Sequence, residues 1–257
     1  ISERLDGNMI LAGGSASNSI PAYASAEIRL ADGGQKTIQT KGISGHAAFP
    51  LGAKNALGIL AEKIADECTE ACILSEREKA VLEFLKKACG EGFGRELNID
   101  CEDHISGVLT AAGTVVKAEG ERIVLGMDIR YPVTAKAGEI LEKLGNEAGK
   151  YGFSIRRYED DPPSYVDKDT PLVTCLTEAY EEVMKDGKKP YVMGGGTYAR
   201  KIPNAVGFGP GLDFNRKEAE LPKGHGDCHS ADEVQSVSSL KMAVRIYVKA
   251  LQKLDKL

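Results

Sequence analysis

The sequence contains no tryptophan, few aromatic residues (6%) and only four histidines. No apolar run approaches the roughly 20 residues that a membrane-spanning helix needs, and no secretory leader is visible. The formal net charge is -5, and basic residues are scattered among acidic ones rather than gathered into a patch. We therefore expect neither a nucleic acid nor a membrane as a partner.

Motifs of several protein classes are also missing. The sequence has no G-x-x-x-x-G-K-[ST] phosphate-binding loop, and it has no G-x-S-x-G nucleophile elbow, which argues against a serine hydrolase. Six cysteines are too few for a disulfide scaffold of this length. Cys68 and Cys72 lie at the end of a predicted helix and Cys89 ends an apolar helical face, so we expect reduced core thiols. A cytoplasmic location is the corresponding default.

The patterns that are present indicate a globular protein, 42% hydrophobic and 28% charged, of one or two domains. Strand and helix periodicities in the first part predict a ferredoxin-like α+β unit, in which two helices cover one face of an antiparallel sheet. The predicted elements are strand 36–43, helix 53–68, a hairpin of 108–117 with 121–130, helix 134–151 and strand 153–158. Residues 20–30 predict a preceding strand, and a capping box at Ser75 predicts a further helix, set aside here as an insertion.

The pattern changes at Pro162-Pro163, which predicts a first domain of residues 1–162 and a second of 163–257. Thr170 and Pro171 are typical of a helix start. Short strands at 191–193 and 205–208 and a closing helix at 234–254 suggest α/β layering. Two short strands make a thin sheet, so we expect the second domain to be only part of a larger one.

Four groups of residues could carry chemistry. His46 lies in a glycine-rich loop, where an imidazole could donate to a developing oxyanion or could simply be a surface histidine. Arg130 ends a strand and offers a fork for a carboxylate, although an ion pair with Asp128 is an equal alternative. Residues 194–197, Gly-Gly-Gly-Thr, favour an anion-binding loop over a plain turn.

The fourth group is a cluster of metal-binding residue types before the last helix. It contains His225, Asp227, Cys228 and His229, and imidazole is a common zinc ligand. The alternative is structural, because acidic residues at 232 and 233 could cap the helix that follows.

Taken in order along the chain, five segments resemble the dinuclear-zinc exopeptidases that include aminoacylase, carnosinase and glutamate carboxypeptidase, most of all the branch of bacterial dipeptidase V. The segments are Asn18-Ser19-Ile20-Pro21, Lys41-Gly42-Ile43-Ser44-Gly45-His46-Ala47, Asp128-Ile129-Arg130-Tyr131-Pro132, Gly194-Gly195-Gly196-Thr197-Tyr198-Ala199-Arg200 and His229-Ser230-Ala231-Asp232-Glu233. The resemblance implies a two-lobed ferredoxin-like lid, which clamps the substrate, followed by the C-terminal part of the catalytic α/β domain.

The resemblance also implies a role for each matching residue. His46 would polarise the scissile carbonyl oxygen opposite a zinc ion, and Asn18 would lie near the substrate. Arg130 would hold the C-terminal carboxylate of the substrate. A second set would help to hold that carboxylate: Gly195, Gly196 and Thr197. His229 would be the C-terminal zinc ligand.

The family's His-x-Asp motif, bridging aspartate and adjacent Glu-Glu pair have no match in these 257 residues. We therefore expect the whole enzyme to use two zinc ions, whereas this chain alone should neither bind zinc tightly nor hydrolyse dipeptides. The expected substrate is a short peptide. An N-acyl amino acid deacylase or a carboxypeptidase is the enzymatic alternative. A binding or dimerisation module, with a homodimer formed through lid or catalytic surfaces, is the non-enzymatic one.

Overall fold

The computed structural model describes residues 1–68, 72–209, 221, 226 and 233–257. The chain splits into two compact units, one formed by Ile1–Pro163 with Met193–Gly195 and the other by Ser164–Val192 with Gly196–Leu257. The predicted mixed α+β class, with an antiparallel sheet, is confirmed. The boundary after residue 162 remains a prediction about domains that fold separately.

Ten strands form in the first unit: β1 (Ser2–Arg4), β2 (Met9–Gly13), β3 (Ser19–Ile20), β4 (Tyr23–Arg29), β5 (Gln35–Lys41), β6 (Gly45–His46), β7 (Glu102–Asp103), β8 (Gly107–Val108), β9 (Thr110–Glu119) and β10 (Arg122–Arg130). Six of them make one sheet in the order β1-β10-β9-β2-β4-β5, with every neighbouring pair antiparallel. The remaining four form two small sheets, β3 with β6 and β7 with β8.

The described helices are α1 (Ala56–Glu67), α2 (Glu76–Ala88) and α3 (Ala137–Gly149) in the first unit, and α4 (Pro171–Met184) and α5 (Val237–Leu254) in the second. The main core of the first unit combines α1, α2 and α3 with one face of the large sheet. Along β4, for example, Ala24, Ala26 and Ile28 are buried while Glu27 and Arg29 are exposed, as the two-residue period of a strand requires.

The helix that begins after Ser75 has the predicted capping box. The Ser75 hydroxyl accepts a hydrogen bond from the Glu78 backbone at 3.2 Å, and the Glu78 carboxylate accepts one from the Ser75 backbone at 3.0 Å. Although we set this helix aside as an insertion on the sequence alone, it contributes to the main core. Phe84, on this helix, is fully buried in the main core and packs its ring 4.6 Å from that of Phe153, so α2 is part of the central packing.

The predicted closing strand at 153–158 does not form. The Ser154 backbone makes an isolated bridge to Ser2, and residues 156–158 are exposed. The sheet edge is occupied instead by β1, and its interior contains β2, neither of which the periodicity predicted. Ser2–Arg4 form a strand because each of these residues pairs with β10. The predicted strand at 153–158 has only the single bridge at Ser154.

In the second unit, the Thr170 hydroxyl caps α4 by accepting a hydrogen bond from Val173 N at 3.4 Å. The helices α4 and α5 pack through Leu176, Ala179 and Ala250. The prediction of strands at 191–193 and 205–208 was wrong, since these residues have no strand structure. Val206 and Phe208 instead contact the helix pair with their side chains.

The expectation of reduced thiols was wrong for one pair. Cys68 and Cys72 form a disulfide with their Cα atoms 5.0 Å apart. The other described cysteines, Cys89, Cys101 and Cys175, are free, and burial raises the pKa of the Cys89 thiol to about 12. A cytoplasmic location therefore stays a prediction, and this pair no longer supports it.

Candidate functional site

His46 lies on a loop whose base is closed by backbone pairing. Ile43 and Lys54 exchange hydrogen bonds of 2.8 and 2.9 Å, and His46 itself pairs with Ser19 where β6 meets β3. The glycines of this segment are required by close approach. A Cβ atom on Gly42 would lie 1.9 Å from the Lys54 carbonyl oxygen, so no larger residue fits at the closure.

The imidazole of His46 is oriented by its own loop. Its Nδ1 accepts a hydrogen bond from the Ala48 backbone at 3.0 Å, and its ring centroid lies 5.8 Å from that of Phe49. Because Nδ1 accepts in this arrangement, the proton of the neutral ring is on Nε2. The ring therefore presents an N–H donor on the side away from Ala48.

Asn18 lies on the backbone segment next to that of His46. It lies in the turn just before β3, and its carbonyl oxygen accepts a hydrogen bond from Ala47 N at 2.9 Å. The Asn18 residue is exposed. The two predicted residues thus lie on adjacent, hydrogen-bonded backbone segments.

Arg130 ends β10 on the sheet face that lies opposite the helices. Met127 and Ile129 pack against the main core, and alternate residues of a strand face opposite ways. Asp128 and Arg130 accordingly face away from that core. Opposite Asp128 in the sheet is Ala112, which packs with Ile20 and Ala47 from the His46 region.

The guanidinium of Arg130 has defined partners. Its Nε donates to Asp128 Oδ1 at 2.8 Å and its Nη2 donates to Asp128 Oδ2 at 3.0 Å, so the predicted alternative, an ion pair with Asp128, is present. Its Nη1 donates to the carbonyl oxygen of Gly194. A Cβ placed on Gly194 would lie 3.5 Å from both Ala48 Cβ and Arg130 Cδ. Gly194 is therefore the point where the His46 loop and Arg130 meet.

The rest of the glycine-rich segment crosses the division of the chain. Gly195 belongs to the first unit and is half-buried. Gly196 and Thr197 belong to the second, where the Thr197 hydroxyl accepts a hydrogen bond from Ala199 N at 3.3 Å and caps the 3-10 turn Tyr198–Lys201. The carboxylate-holding role of these three residues stays a prediction.

The predicted zinc ligand His229 lies outside the described residues, as do His225, Asp227 and Cys228. Within the described part of the chain, no group of three or more His, Cys, Asp or Glu side chains could hold a metal ion. The described residues therefore do not form a metal site by themselves.

Asp103 is a structural residue of the site that the sequence did not single out. Its carboxylate accepts hydrogen bonds from the backbone and hydroxyl of Ser106, from Ile105 N and from both the backbone and hydroxyl of Thr134. These bonds, the Ser106 backbone first, hold the pKa of the Asp103 carboxyl well below its usual range. Asp103 thereby fixes the chain just after Arg130. An Asp-x-x-Ser pattern, typical of such turns, was the available signal.

A search of the described helices finds none that combines the length and apolar character needed to cross a membrane.

Comparison with known proteins gives several relatives named as dipeptidases. The chain is 34% identical over 229 residues to "Putative dipeptidase YtjP" of Bacillus subtilis (strain 168), a match of 88% of this chain and 45% of that protein. It is 30% identical over 183 residues to "Putative dipeptidase SAR1836" of Staphylococcus aureus (strain MRSA252), covering 70% of this chain and 37% of the relative. The chain thus spans less than half the length of these relatives.

The family model described as "Peptidase family M20/M25/M40" matches residues 27–253. This match includes His46, Arg130 and the glycine-rich segment, and it confirms the resemblance to exopeptidases that the five segments indicated. Because the match covers most of the sequence, the chain belongs to peptidase family M20/M25/M40.

Proposed function

We propose that these 257 residues are the substrate-holding part of a zinc-dependent dipeptidase of the cytoplasm. The observation that carries the proposal is the meeting of the His46 loop, Arg130 and the glycine-rich segment at Gly194. The relatives' names supply the substrate class, short peptides. In this proposal the first unit is the lid that clamps the peptide.

His46 acts on the peptide bond. The hydrogen bond from Ala48 to Nδ1 favours the tautomer that donates from Nε2, and such a donor stabilises a carbonyl oxygen most when that oxygen gains negative charge. Loss of one oxyanion donor costs roughly 10²- to 10³-fold in kcat. The paired loop base at Ile43 and Lys54 keeps the ring from having to reorganise as the charge develops.

Arg130 acts on the C-terminal carboxylate of the peptide, together with Gly195, Gly196 and Thr197. This carboxylate carries the same charge before and during the reaction, so the contact contributes mainly to KM. A zinc site in the whole enzyme would supply an activated water molecule and Lewis acidity. His229 is its proposed ligand from this chain. The remaining ligands would come from the part of the full-length protein that corresponds to the unmatched part of the relatives.

The test is kinetics of His46→Ala and Arg130→Ala in the full-length protein, with metal content measured in each variant. We expect His46→Ala to lower kcat roughly 10²- to 10³-fold and Arg130→Ala to raise KM. The matched controls are His104→Ala, an exposed histidine, and Arg122→Ala, an exposed arginine at the other end of β10. Both controls should leave kcat and KM unchanged. An unchanged kcat in His46→Ala would overturn the role of His46.

Two further arms separate the alternatives. The purified 257-residue chain with added zinc should not hydrolyse dipeptides, and turnover at the rate of the full-length protein would contradict its being only a part of the enzyme. Faster hydrolysis of N-acyl amino acids than of dipeptides by the full-length protein would favour the deacylase. Absence of both activities, with a stable homodimer, would favour the binding module.

A further inference from the structure

The unassigned residue nearest to the proposed clamp is Asp128. We propose that Asp128 is a positioning residue, which holds the Arg130 guanidinium in the orientation that selects substrates with a free C-terminal carboxylate. The proposal rests on the proposed function of Arg130, and it assigns a second residue to the same task. Asp128 itself would touch no substrate atom.

The geometry of the pair supports this role. Asp128 and Arg130 are two residues apart on one strand, so their side chains emerge on the same face. The two parallel hydrogen bonds of 2.8 and 3.0 Å fix both the position and the plane of the guanidinium. Both side chains are mostly buried, with 22% of Arg130 and 15% of Asp128 exposed. Water therefore competes less for the hydrogen bonds of this pair than for those of a surface ion pair.

The count of donors indicates what the oriented group can bind. A guanidinium has five N–H donors. Asp128 takes one on Nε and one on Nη2, and Gly194 takes one on Nη1. Among the described residues no partner accepts from the other two, one on each terminal nitrogen. With one donor remaining on each terminal nitrogen, we infer that the end of the fork is the part that receives a substrate carboxylate, which can accept from both nitrogens in a bidentate manner.

The strand that carries the pair is held by β9. Asp128 and Arg130 are in register with Ala112 and Thr110 of β9. The register shifts just before them, between Gly126 and Met127, and such irregularities re-aim the side chains that follow. The backbone beneath the pair is therefore fixed, and the remaining freedom of Arg130 is that of its side chain, which Asp128 restricts.

If Asp128 acted only through its charge, removing it would have the opposite effect on binding of the substrate carboxylate. A carboxylate this close to the Arg130 charge repels a substrate carboxylate, so its removal would strengthen binding of the free acid if charge alone mattered. If orientation matters more, its removal weakens that binding, because the long arginine side chain regains its rotamers. Asp128→Asn is informative here, since it removes the charge but keeps one acceptor oxygen.

The experiment measures kcat/KM for a dipeptide and for the same dipeptide with an amidated C-terminus, in the full-length protein with its metal. The ratio of the two kcat/KM values measures the preference for a free C-terminal carboxylate. A general loss of folded protein or metal lowers both values and leaves their ratio unchanged. We expect Asp128→Ala to lower this acid-over-amide preference about tenfold, mainly through KM of the free acid. Asp128→Asn should lower it less, and Arg122→Ala should not change it.

The outcomes separate this inference from the proposed function. Loss of the preference in Arg130→Ala, but a retained or increased preference in both Asp128 variants, would overturn the positioning role and leave the clamp standing. A preference that survives Arg130→Ala would overturn the clamp itself. Unfolding curves and metal content of Asp128→Asn, if equal to those of the unmodified protein, exclude damage to the fold as the cause of a lowered ratio.

Discussion

The two units differ in how much of their apolar surface their own residues bury. In the first, thirty hydrophobic residues with little or no exposure form one continuous cluster. In the second, the described residues form a buried cluster of three, Leu176, Ala179 and Ala250. Five apolar residues of α5 remain exposed along one stripe: Val237, Leu240, Val244, Val248 and Leu251.

This contrast shows where stability resides. Burial of apolar surface is the main favourable term in folding, so the first unit has the means to be stable by itself. Among its described residues, the second unit has one helix pair to bury apolar surface, and α5 is apolar on two sides. Helices of that kind are typical of a protein interior. Substitutions should therefore have larger effects in the first unit than equivalent substitutions in the second.

The largest expected effect is that of Phe84→Ala. Phe84, on α2, is fully buried and packs against Phe153, and removal of such a ring costs about 3 to 5 kcal/mol. Leu176→Ala in α4 should cost about 2 kcal/mol, because Leu176 also lines an open apolar groove between α4 and α5 and leaves no closed cavity. Hydrogen exchange of each unit measures the two effects separately. A larger loss from Leu176→Ala would reverse the comparison.

Removal of a helix cap should also destabilise the first unit more than the second, by a smaller difference in the free energy of unfolding. Asn55 caps α1 by accepting from Leu57 N at 3.0 Å and also donates to the buried Gly113 carbonyl at 2.7 Å. Asn55→Ala should cost about 2 to 3 kcal/mol, since it removes a cap and leaves an unsatisfied acceptor. Thr170→Ala removes only a cap, at about 1 kcal/mol. Urea unfolding monitored in each unit tests the ranking, and equal losses would contradict it.

Acid should weaken the first unit partly through Asp103. Because the pKa of this carboxyl is lowered in the folded state, its contribution is complete above the usual Asp value of about 4 and is lost as the pH falls through the lowered value. The stability gap between the unmodified protein and Asp103→Asn should thus narrow below about pH 4. Thermal unfolding from neutral to acid pH measures it. Asp169→Asn, at an exposed residue of the second unit, is the control for the removal of one negative charge.

The smallest effect is expected on the exposed stripe of α5. Val244→Lys should change the free energy of unfolding by less than about 0.5 kcal/mol, because Val244 is 60% exposed. Ile246→Lys, two residues further on, places a charge on the buried side of the same helix and should unfold the helix pair. Circular dichroism with hydrogen exchange compares the two. A strong loss from Val244→Lys would mean that this stripe is already packed.

The sequence predicted the elements that have long, regular patterns. Helical spacing and the Ser75 capping box located α1 and α2, and the predicted hairpin of 108–117 with 121–130 corresponds to β9 and β10. The short strands β1 and β2 have three and five residues, too few for a period to stand out. What makes β2 a strand is its neighbours β4 and β9, and pairing between distant segments is not encoded locally.

The candidate site shows the same division between local and distant information. The sequence predicted an ion pair with the nearby Asp128 as one alternative for Arg130, and the pair is two residues apart on one strand. The contact of Arg130 with Gly194 joins residues 64 positions apart, and no spacing rule predicts it. The many hydrogen bonds to Asp103 likewise depend on Thr134, 31 residues away. The roles of His46, Asn18 and Arg130 in catalysis remain predictions until the kinetic variants are measured.

The position of β2 within the large sheet has a consequence for how the chain folds. The hairpins β4–β5 and β9–β10 each pair neighbouring segments, whereas β2 joins one hairpin to the other through Gly13 and Val116. During synthesis, β2 must wait for a partner made about a hundred residues later. Such long-range closure is slow, and until it occurs the edges of β2 and β9 stay open to wrong pairing. The dependence of this protein on chaperones should therefore be set by how quickly β2 pairs with β9.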